Sequence, residues 1–265
     1  MADNTGVIAP TSPHRVEWHG WLDRWEAQQG SYMPDREERF DIIIDAVQAL
    51  QGDAAHIVDL GAGPGSLARR LLDHMPGARV TAVDMDPVLL AIGRNALGDQ
   101  GGRLAWLDAD LRSEWGAAVE GAVDAAVSTT ALHWLQPHAL AGLYRHLAMV
   151  LSPGGVFVNG DRLSFPEASP LIAAAGREMR GLQETRHPAE PVGDGESWEE
   201  WWAAVAQDPG LAAEVAERAR RHHDHPDHHH QADLAVHVGA LRDAGFAEVE
   251  TVWQHLTDRV LVAVR

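Results

Sequence analysis

The chain has 265 residues, of which 45% are hydrophobic and 23% are charged, and it contains no cysteine. This composition is that of an ordinary globular protein, and the lack of cysteine excludes disulfides, thiolate catalysis and cysteine-bound zinc. The formal net charge of −18 disfavours nucleic acid and membrane surfaces as partners, because such a surface repels phosphate groups, and it favours a small-molecule substrate.

The first 50 residues are predicted to form a helical lid. Trp18, Trp21 and Trp25 share one helix face, where they either pack against the core or cover a ligand. The start of the chain lacks the basic and apolar regions of a signal peptide, and no apolar run reaches the roughly 18 residues of a membrane span. We therefore expect a cytoplasmic location. The sequence does not indicate an oligomeric state.

From residue 56 onward, short apolar runs alternate with helical segments, which is typical of a parallel sheet with helices on both faces. Residues 152–155 are predicted to end a helix that Pro137 opens. Two final strands are joined by a turn so short that they must be antiparallel. Strands are predicted at 56–60, 79–83, 104–107, 123–128, 156–159, 248–255 and 259–264.

This pattern predicts an α/β fold with a seven-stranded mixed sheet and a reversed last strand. The core comprises residues 51–160, and a C-terminal helix and hairpin at 231–265 complete its sheet. Residues 161–230 break the alternation, and we predict that they form a helical cap or substrate insertion.

The sharpest motif is a glycine-rich turn, Asp59-Leu60-Gly61-Ala62-Gly63-Pro64-Gly65, between the first strand and a helix. Glycines there let the backbone turn tightly and approach a ligand closely. A dinucleotide-binding loop would place its third glycine one residue later. The carboxylate of Asp59, two places before Gly61, suits a positively charged ligand such as an aminoacyl sulfonium better than a pyrophosphate.

Two further acids follow the next strands. Asp84 ends the second strand, where a carboxylate can accept both ribose hydroxyls of an adenosine. Asp110 follows the third strand, where a carboxylate can bind the amino group of adenine. Each acid alone also suits a helix cap or a solvated loop. Three acids at the carboxyl ends of successive strands point to a ligand site instead.

With these motifs, the chain resembles class I S-adenosylmethionine (SAM)-dependent methyltransferases, in the small-molecule branch that contains trans-aconitate methyltransferase. The resemblance covers about residues 32–160, and 232–265 in topology. It implies a Rossmann-like core, SAM as cofactor and S-adenosylhomocysteine as product. The implied cofactor-binding residues are Asp59, Gly61, Gly63, Gly65, Asp84, Met85, Asp110, Leu111, Ser128 with Thr129, and, over the cofactor, Tyr32 with Met33 and Arg39.

Methyl transfer is an in-line displacement, so the protein mainly aligns the acceptor and excludes water. A general base is needed only when the acceptor must lose a proton. His133 is the leading candidate, because the resemblance places it facing the methyl group and imidazole titrates near neutrality. A packing or substrate-binding role for His133 stays open, and His14 and His19 are weaker alternatives. Arg36, Arg39 and Arg162 are candidates for binding a substrate carboxylate.

Six histidines lie between residues 222 and 230, interrupted by Asp224, Pro226 and Asp227. Imidazole and carboxylate groups suit zinc, iron or nickel, and His225 and His229 are spaced to share a divalent metal. Three interpretations of this tract stay open. It is a solvated loop that binds metal adventitiously, it holds a metal that orients a bidentate substrate, or it supplies a histidine that acts as the catalytic base.

The sequence thus predicts a SAM-dependent methyltransferase of a small metabolite or natural product, with oxygen the favoured acceptor and carbon or nitrogen open. Two alternatives remain. A non-catalytic SAM-binding protein would carry the same cofactor contacts, because they establish binding and not turnover. A nicotinamide-dependent oxidoreductase is disfavoured by the glycine spacing and the terminal hairpin.

Overall fold

A computed structural model of the chain describes residues 16–33, 35–186, 196–223 and 232–265. Within these ranges, seven strands form one sheet in the order β3-β2-β1-β4-β5-β7-β6. The strands are β1 (His56–Leu60), β2 (Arg79–Asp84), β3 (Leu104–Asp108), β4 (Val123–Thr129), β5 (Leu151–Arg162), β6 (Glu248–His255) and β7 (Asp258–Val264).

The sheet is parallel apart from its last strand. β7 runs antiparallel to both of its neighbours, β5 and β6, whereas β1 to β5 pair in parallel. This confirms the predicted mixed sheet with a reversed last strand. β1 lies between β2 and β4. The chain adds β2 and β3 on one side of β1 and β4 and β5 on the other, so the strand order reverses at β1. In such sheets, ligands bind at the carboxyl ends of the strands beside this reversal.

Nine α-helices surround the sheet within the described residues. None of them is long and apolar enough to cross a membrane. They are α1 (Trp18–Tyr32), α2 (Arg36–Gln51), α3 (Ser66–His74), α4 (Pro87–Leu97), α5 (Pro137–Val150), α6 (Pro170–Arg186), α7 (Trp198–Gln207), α8 (Ala212–His223) and α9 (Leu234–Asp243).

The core consists of apolar clusters on the two faces of the sheet. On one face, α2 and α3 bury side chains such as Phe40 and Leu71 against Ile57. On the other face, α5 and α9 do so with Leu147 and Leu241. Apolar area removed from water stabilises a fold by about 25 cal/mol per Å², so these two layers hold the sheet between them. The helices therefore lie on both faces, as predicted.

The prediction for residues 152–155 was wrong. They were expected to end the helix before a strand of 156–159, but β5 begins at Leu151 and continues to Arg162. Its pairing with β4 shifts from Val123↔Leu151 directly to Ala125↔Val156, so the four residues between form a bulge. Proline and glycines fit such an interruption, because a bulge needs no regular hydrogen bonding and tolerates a positive φ. The extension to Arg162 matters for the site.

A third apolar cluster joins distant parts of the chain. Trp21 and Trp25 of α1 are buried against Trp201 of α7, with ring centroids 5.7 and 5.1 Å apart. Val88 and Ile92 of α4 complete the contact. Large aromatic side chains contribute much buried area and favour such edge-to-face pairs. The cluster therefore fixes α1 and α7 beside the carboxyl ends of β1 and β2.

Candidate active site

A cavity of about 1000 Å³ opens at the carboxyl ends of the parallel strands. Its walls come from the glycine loop after β1, the segments after β2, β3 and β4, and the helices α1, α2, α7 and α8. Residues predicted to bind the cofactor or act on the substrate line it together: Asp59, Gly61, Gly63, Asp84, Met85, Asp110, Leu111, Thr129, His133, Tyr32, Met33 and Arg39.

The glycine loop brings backbone to the cavity wall. Gly61 has a φ of +69°, and a Cβ there would collide with the Cβ of Ala131 in the segment after β4. Only glycine satisfies both the dihedral angle and the contact. The N–H of Gly63 donates to Asp84 Oδ2 over 2.7 Å, so the loop and the end of β2 are held together.

Gly65 and Ser128 lie off the cavity, although both were predicted to bind the cofactor. Gly65, with a φ of +90°, precedes α3, and a Cβ on it would lie 2.7 Å from the Trp106 ring. It serves close packing between loop, helix and strand. The Ser128 side chain is fully buried and its hydroxyl donates to the Leu60 carbonyl over 2.8 Å. Thr129, the next residue along the strand, points the other way and lines the cavity.

Two carboxylates, the buried Asp59 and the partly buried Asp84, dominate the electrostatics of the cavity floor. Neither oxygen of Asp59 has a hydrogen-bond partner among the described residues. Burial and the negative charge of Asp84 raise the pKa of Asp59 to about 7. Burial also raises the pKa of Asp84 to about 6, although the N–H groups of Asp86 and Gly63 oppose that rise. Buried carboxylates are stabilised by a cationic or hydrogen-donating ligand, so this floor suits the predicted cofactor.

The far end of the cavity has the residues predicted to face adenine. Asp110 receives a hydrogen bond from the Arg112 N–H over 2.9 Å and pairs with the guanidinium of the same arginine. Leu111 and Met85 provide apolar wall beside it. These side chains follow β2 and β3, whose parallel pairing at Asp84↔Asp108 sets them side by side.

His133 is joined to a carboxylate that the sequence analysis did not identify. Its Nδ1 lies 2.8 Å from Asp161 Oδ1, and its backbone N–H donates to Asp161 Oδ2 over 3.1 Å. Burial opposes ionisation of Asp161, but the His133 imidazole and the Arg162 N–H hold its pKa below the usual range. A carboxylate only accepts, so Nδ1 carries the proton and Nε2 is left as an acceptor.

Asp161 had the same sequence signal as Asp84, an acid at the carboxyl end of a strand. It was missed because β5 was predicted to end at Asn159, three residues before its end at Arg162. The extension of the strand turns the Asp161 side chain to the same face as Asn159. There it meets the short 3-10 turn Leu132–Trp134, which carries His133.

The N-terminal helices close one side of the cavity. Tyr32, Met33 and Arg39 line it, as predicted from the resemblance. Arg39 is only 3% exposed, and its Nε has no hydrogen-bond partner in the described part of the chain. Burial lowers the pKa of Arg39, and the nearby Asp161 and Asp258 oppose this. A buried guanidinium without a bonded carboxylate suits an anionic group of a ligand.

Helices α7 and α8, within the stretch predicted as a helical cap or substrate insertion, supply a wall whose residues the sequence did not specify. Trp198, Glu199, Trp202 and Arg218 line the cavity. The backbone N–H of Trp198 donates to the Tyr32 hydroxyl over 3.1 Å, which joins α7 to the end of α1. In the sequence, the tryptophans of α7 indicated buried or ligand-facing positions, but they did not show whether a side chain lines the cavity or packs in the core.

The predicted metal ligands His225 and His229 lie outside the described residues. Among the residues that are described, no group of three or more histidine, aspartate or glutamate side chains is arranged to hold a metal ion. A metal site at His225 and His229 therefore stays a prediction from the sequence.

Comparison with known proteins shows what this part of the chain is similar to. Residues 57–155, from β1 to the start of β5, match a family model described as a methyltransferase domain. The chain is also 37% identical over 151 residues to trans-aconitate 2-methyltransferase of Azoarcus sp. (strain BH72). Over these residues the chain is similar to methyltransferases.

The similarity to these relatives is partial. The match to the Azoarcus protein covers 56% of this chain and 54% of the relative. A second match, to trans-aconitate 2-methyltransferase of Escherichia coli O45:K1 (strain S88 / ExPEC), is 38% identical over 101 residues and covers 38% and 36% of the two chains. The chain thus spans about half the length of the relatives it matches, or less.

Solved structures share the methyltransferase fold over more of the chain. The pyocyanin biosynthetic protein PhzM superposes with a TM-score of 0.55 at 18% identity, covering 94% of this chain and 62% of PhzM. An O-methyltransferase family protein from Burkholderia thailandensis gives a TM-score of 0.54 at 18% identity, covering 92% of this chain and 58% of that one. At this identity the likeness shows the fold alone.

Proposed function

We propose that this protein transfers a methyl group from SAM to an oxygen atom of a small acceptor that carries a carboxylate. One observation carries the proposal: the glycine loop, Asp84 and the His133–Asp161 pair open into one cavity at the carboxyl ends of the strands. Its volume of about 1000 Å³ lies at the upper end of the usual range for small-molecule sites, about 300–1000 Å³. That supports room for a cofactor and an acceptor together, and favours catalysis over SAM binding alone.

The residues present fit SAM. Asp84 is placed to accept the ribose hydroxyls, and Asp59 carries buried oxygens that lack donors. Arg39 offers a buried guanidinium for the methionine carboxylate, while Asp110, Leu111 and Met85 form the adenine wall. When bound, SAM supplies an electrophilic methyl group. The chain's own task is to orient an acceptor and exclude water.

His133 is proposed to act as a general base. With Nδ1 donating to Asp161, the neutral ring presents Nε2 to the cavity as a proton acceptor. Asp161 fixes this tautomer and stabilises the imidazolium that forms when the acceptor hydroxyl loses its proton. An acceptor that is already ionised would need no base, and His133 could bind it only with a proton on Nε2 as well, as a hydrogen-bond donor.

Arginine side chains support an anionic acceptor. Arg39 and Arg162 both line the cavity near His133. Arg162 Nε lies 3.5 Å from Asp258, and Asp258 also pairs with Arg180 over 2.7 Å. Arg36 lines the cavity as well, but its charge is matched by Glu26 over 2.7 Å. Because Arg39 is assigned to the methionine carboxylate, Arg162, which shares Asp258 with Arg180, is the proposed partner of the acceptor carboxylate. The named relatives act on trans-aconitate, a carboxylate, which agrees with this proposal.

Calorimetry with SAM and S-adenosylhomocysteine tests the cofactor assignment. Asp84→Ala is expected to weaken binding by about a hundredfold, because hydrogen bonds to a charged acceptor are lost in a buried site. Asp73→Ala, at an exposed position of α3, is the control and should bind like the wild type. No binding to the wild-type protein, or equal affinity in the Asp84 variant, would contradict the proposal.

The acceptor is sought by following transfer of a labelled methyl group from SAM to a panel of hydroxy and carboxylic acids. Methylation of neutral amines alone would contradict the oxygen and carboxylate assignments while leaving the cofactor assignment standing. Metal assistance through His225 and His229, and the cytoplasmic location, stay predictions of the sequence.

A further inference from the structure

Helix α8 contacts the cofactor side of the cavity through two arginines. Arg221 donates through both Nη atoms to the Asp108 carboxylate, over 2.6 and 3.0 Å, and through Nη1 to the Met85 carbonyl over 2.7 Å. Asp108 ends β3 and Met85 follows β2. One planar guanidinium therefore ties the helix to two neighbouring strand ends, with the forked geometry that matches a carboxylate.

Arg218, one turn earlier on α8, makes a second attachment. Its Nε donates to Asp86 Oδ2 over 2.6 Å, and its guanidinium lies 3.7 Å from the centroid of the Trp202 ring. Asp86 also caps α4, since its Oδ1 accepts from the N–H groups of Val88 and Leu89. Arg218 and Trp202 both line the cavity. This pair is thus part of the cavity wall and is anchored to the first turn of α4.

The attachment of α8 differs from that of α7. Trp201 and Val205 of α7 are fully buried in the aromatic cluster. In contrast, no residue of 212–221 in α8 is buried, and Val215 is only partly buried against the same cluster. Apolar burial holds α7, whereas charge pairs hold α8. Partly exposed charge pairs are weakened by salt, so the attachment of α8 is expected to depend on salt much more than that of α7.

We propose that α8 is a latch on the cofactor site, with Arg221 and Arg218 holding it closed and slowing the release of the adenosine-bearing ligand. Arg221 is a positioning residue: it acts through Asp108 and the Met85 carbonyl, which set the wall beside the adenine. Arg218 closes the wall itself. This inference rests on the proposed function, because it assumes that SAM and S-adenosylhomocysteine occupy the cavity.

The test compares two substitutions on the same helix. Arg221→Gln removes the attachment to Asp108 and Met85. Arg220→Gln is the matched control: the Arg220 side chain is 75% exposed and pairs with Glu217 of the same helix, which also accepts from Arg221 Nε over 2.7 Å. It therefore removes one positive charge from α8 without removing a contact to the strand ends. Stopped-flow fluorescence measures the dissociation rate of S-adenosylhomocysteine at about 0.05 M and about 0.5 M NaCl. Trp25 and Trp202 line the cavity and provide the signal.

Release from Arg221→Gln is expected to be about fivefold faster than from the wild type at low salt. The wild type should accelerate with salt, and the variant should respond much less. Arg220→Gln should match the wild type in both respects. If Arg221→Gln and Arg220→Gln release the ligand at the same rate with the same salt response, the latch is wrong.

Arg221→Lys keeps the positive charge but loses the planar guanidinium that contacts Asp108 through two nitrogens. It is the alternative variant if Arg221→Gln does not fold. It should give an intermediate rate, and a rate equal to that of the wild type would contradict the positioning role of the guanidinium. Failure of the proposed function is distinguishable from failure of the latch. In the first case the wild-type protein does not bind S-adenosylhomocysteine at all; in the second it binds, and the variants are alike.

Discussion

At the scale of single residues, the proposed chemistry depends on how His133 is held. Its ring lies on a short turn after β4, while its partner Asp161 comes from the end of β5. Asp161 is fully buried and accepts from both the backbone and the ring of His133. The histidine is therefore fixed in position and in tautomer by one carboxylate.

Asp161→Asn is expected to lower kcat for a hydroxyl acceptor by about tenfold to a hundredfold, because the amide does not stabilise the imidazolium. His133→Gln should lower it at least as much, and the double variant should add little to either. The KM for SAM should stay unchanged in all three. Steady-state rates with the acceptor found in the panel measure these effects.

Asp124→Asn is a matched control for that series. Asp124 also accepts a hydrogen bond from the backbone N–H of a histidine, His56, over 2.8 Å, but at the amino end of the strands. It should cost stability and leave kcat unchanged. If Asp161→Asn lowers only stability, as this control does, Asp161 is structural and His133 is not the base.

The sequence predicted the acids at the carboxyl ends of β1, β2 and β3, because each lies between an apolar run and the turn residues that follow it. It did not predict Asp161, since Pro153 and two glycines obscured where β5 begins and how far it continues. Ser128 and Thr129 show a further limit. Side chains alternate along a strand, so an error of one residue assigns a cavity-lining role to a side chain that is buried in the core.

At the scale of elements, Gly65 fixes how α3 meets the sheet. Gly65→Ala is expected to destabilise the protein by about 3 kcal/mol, because the new Cβ meets the Trp106 ring and Leu97 in addition to an unfavourable φ. Gly102→Ala is the control, with a φ of +82° but no atom within 4 Å of its Cβ, and should cost about 1 kcal/mol. Urea unfolding measures both, and equal costs would show that packing at Gly65 is loose.

The helical elements were predicted less completely than the strands. Pro137 opens α5, as predicted, and α4 begins at Pro87 with the Asp86 side chain as its cap. In contrast, nothing local in α7 specifies that Trp201 packs against Trp21, which lies far away in the sequence. Contacts between distant segments depend on the completed sheet, so periodicity alone does not reveal them.

At the scale of the whole molecule, stability and cofactor binding are expected to respond to pH in opposite directions. Burial raises the pKa of Asp59 to about 7 and that of Asp84 to about 6, from ordinary values of 3.8. The folded protein thus binds more protons than the unfolded chain between about pH 4 and pH 7. These two residues therefore favour the folded state at low pH, and that contribution is lost as the pH rises to about 7.

Asp59→Asn isolates this effect. The free energy of unfolding of the variant, minus that of the wild type, is expected to increase as the pH rises from about 5 to about 8. In calorimetry, SAM should bind the wild type more tightly at the higher pH, because ionised carboxylates favour a cation. A stability difference that is independent of pH would show that Asp59 titrates normally.

The position of β7 bears on how the protein folds. β7 lies between β5 and β6, although the helices α6 to α9 separate it from β5 in the chain. β6 pairs within the sheet only with β7, so β6 can join the sheet only after β7 or together with it as a hairpin. Contacts so distant in sequence are slow to form. We therefore expect an early species made of β1 to β5, with the open edge of β5 exposed to intermolecular pairing, and the hairpin protects the chain from aggregation when it docks.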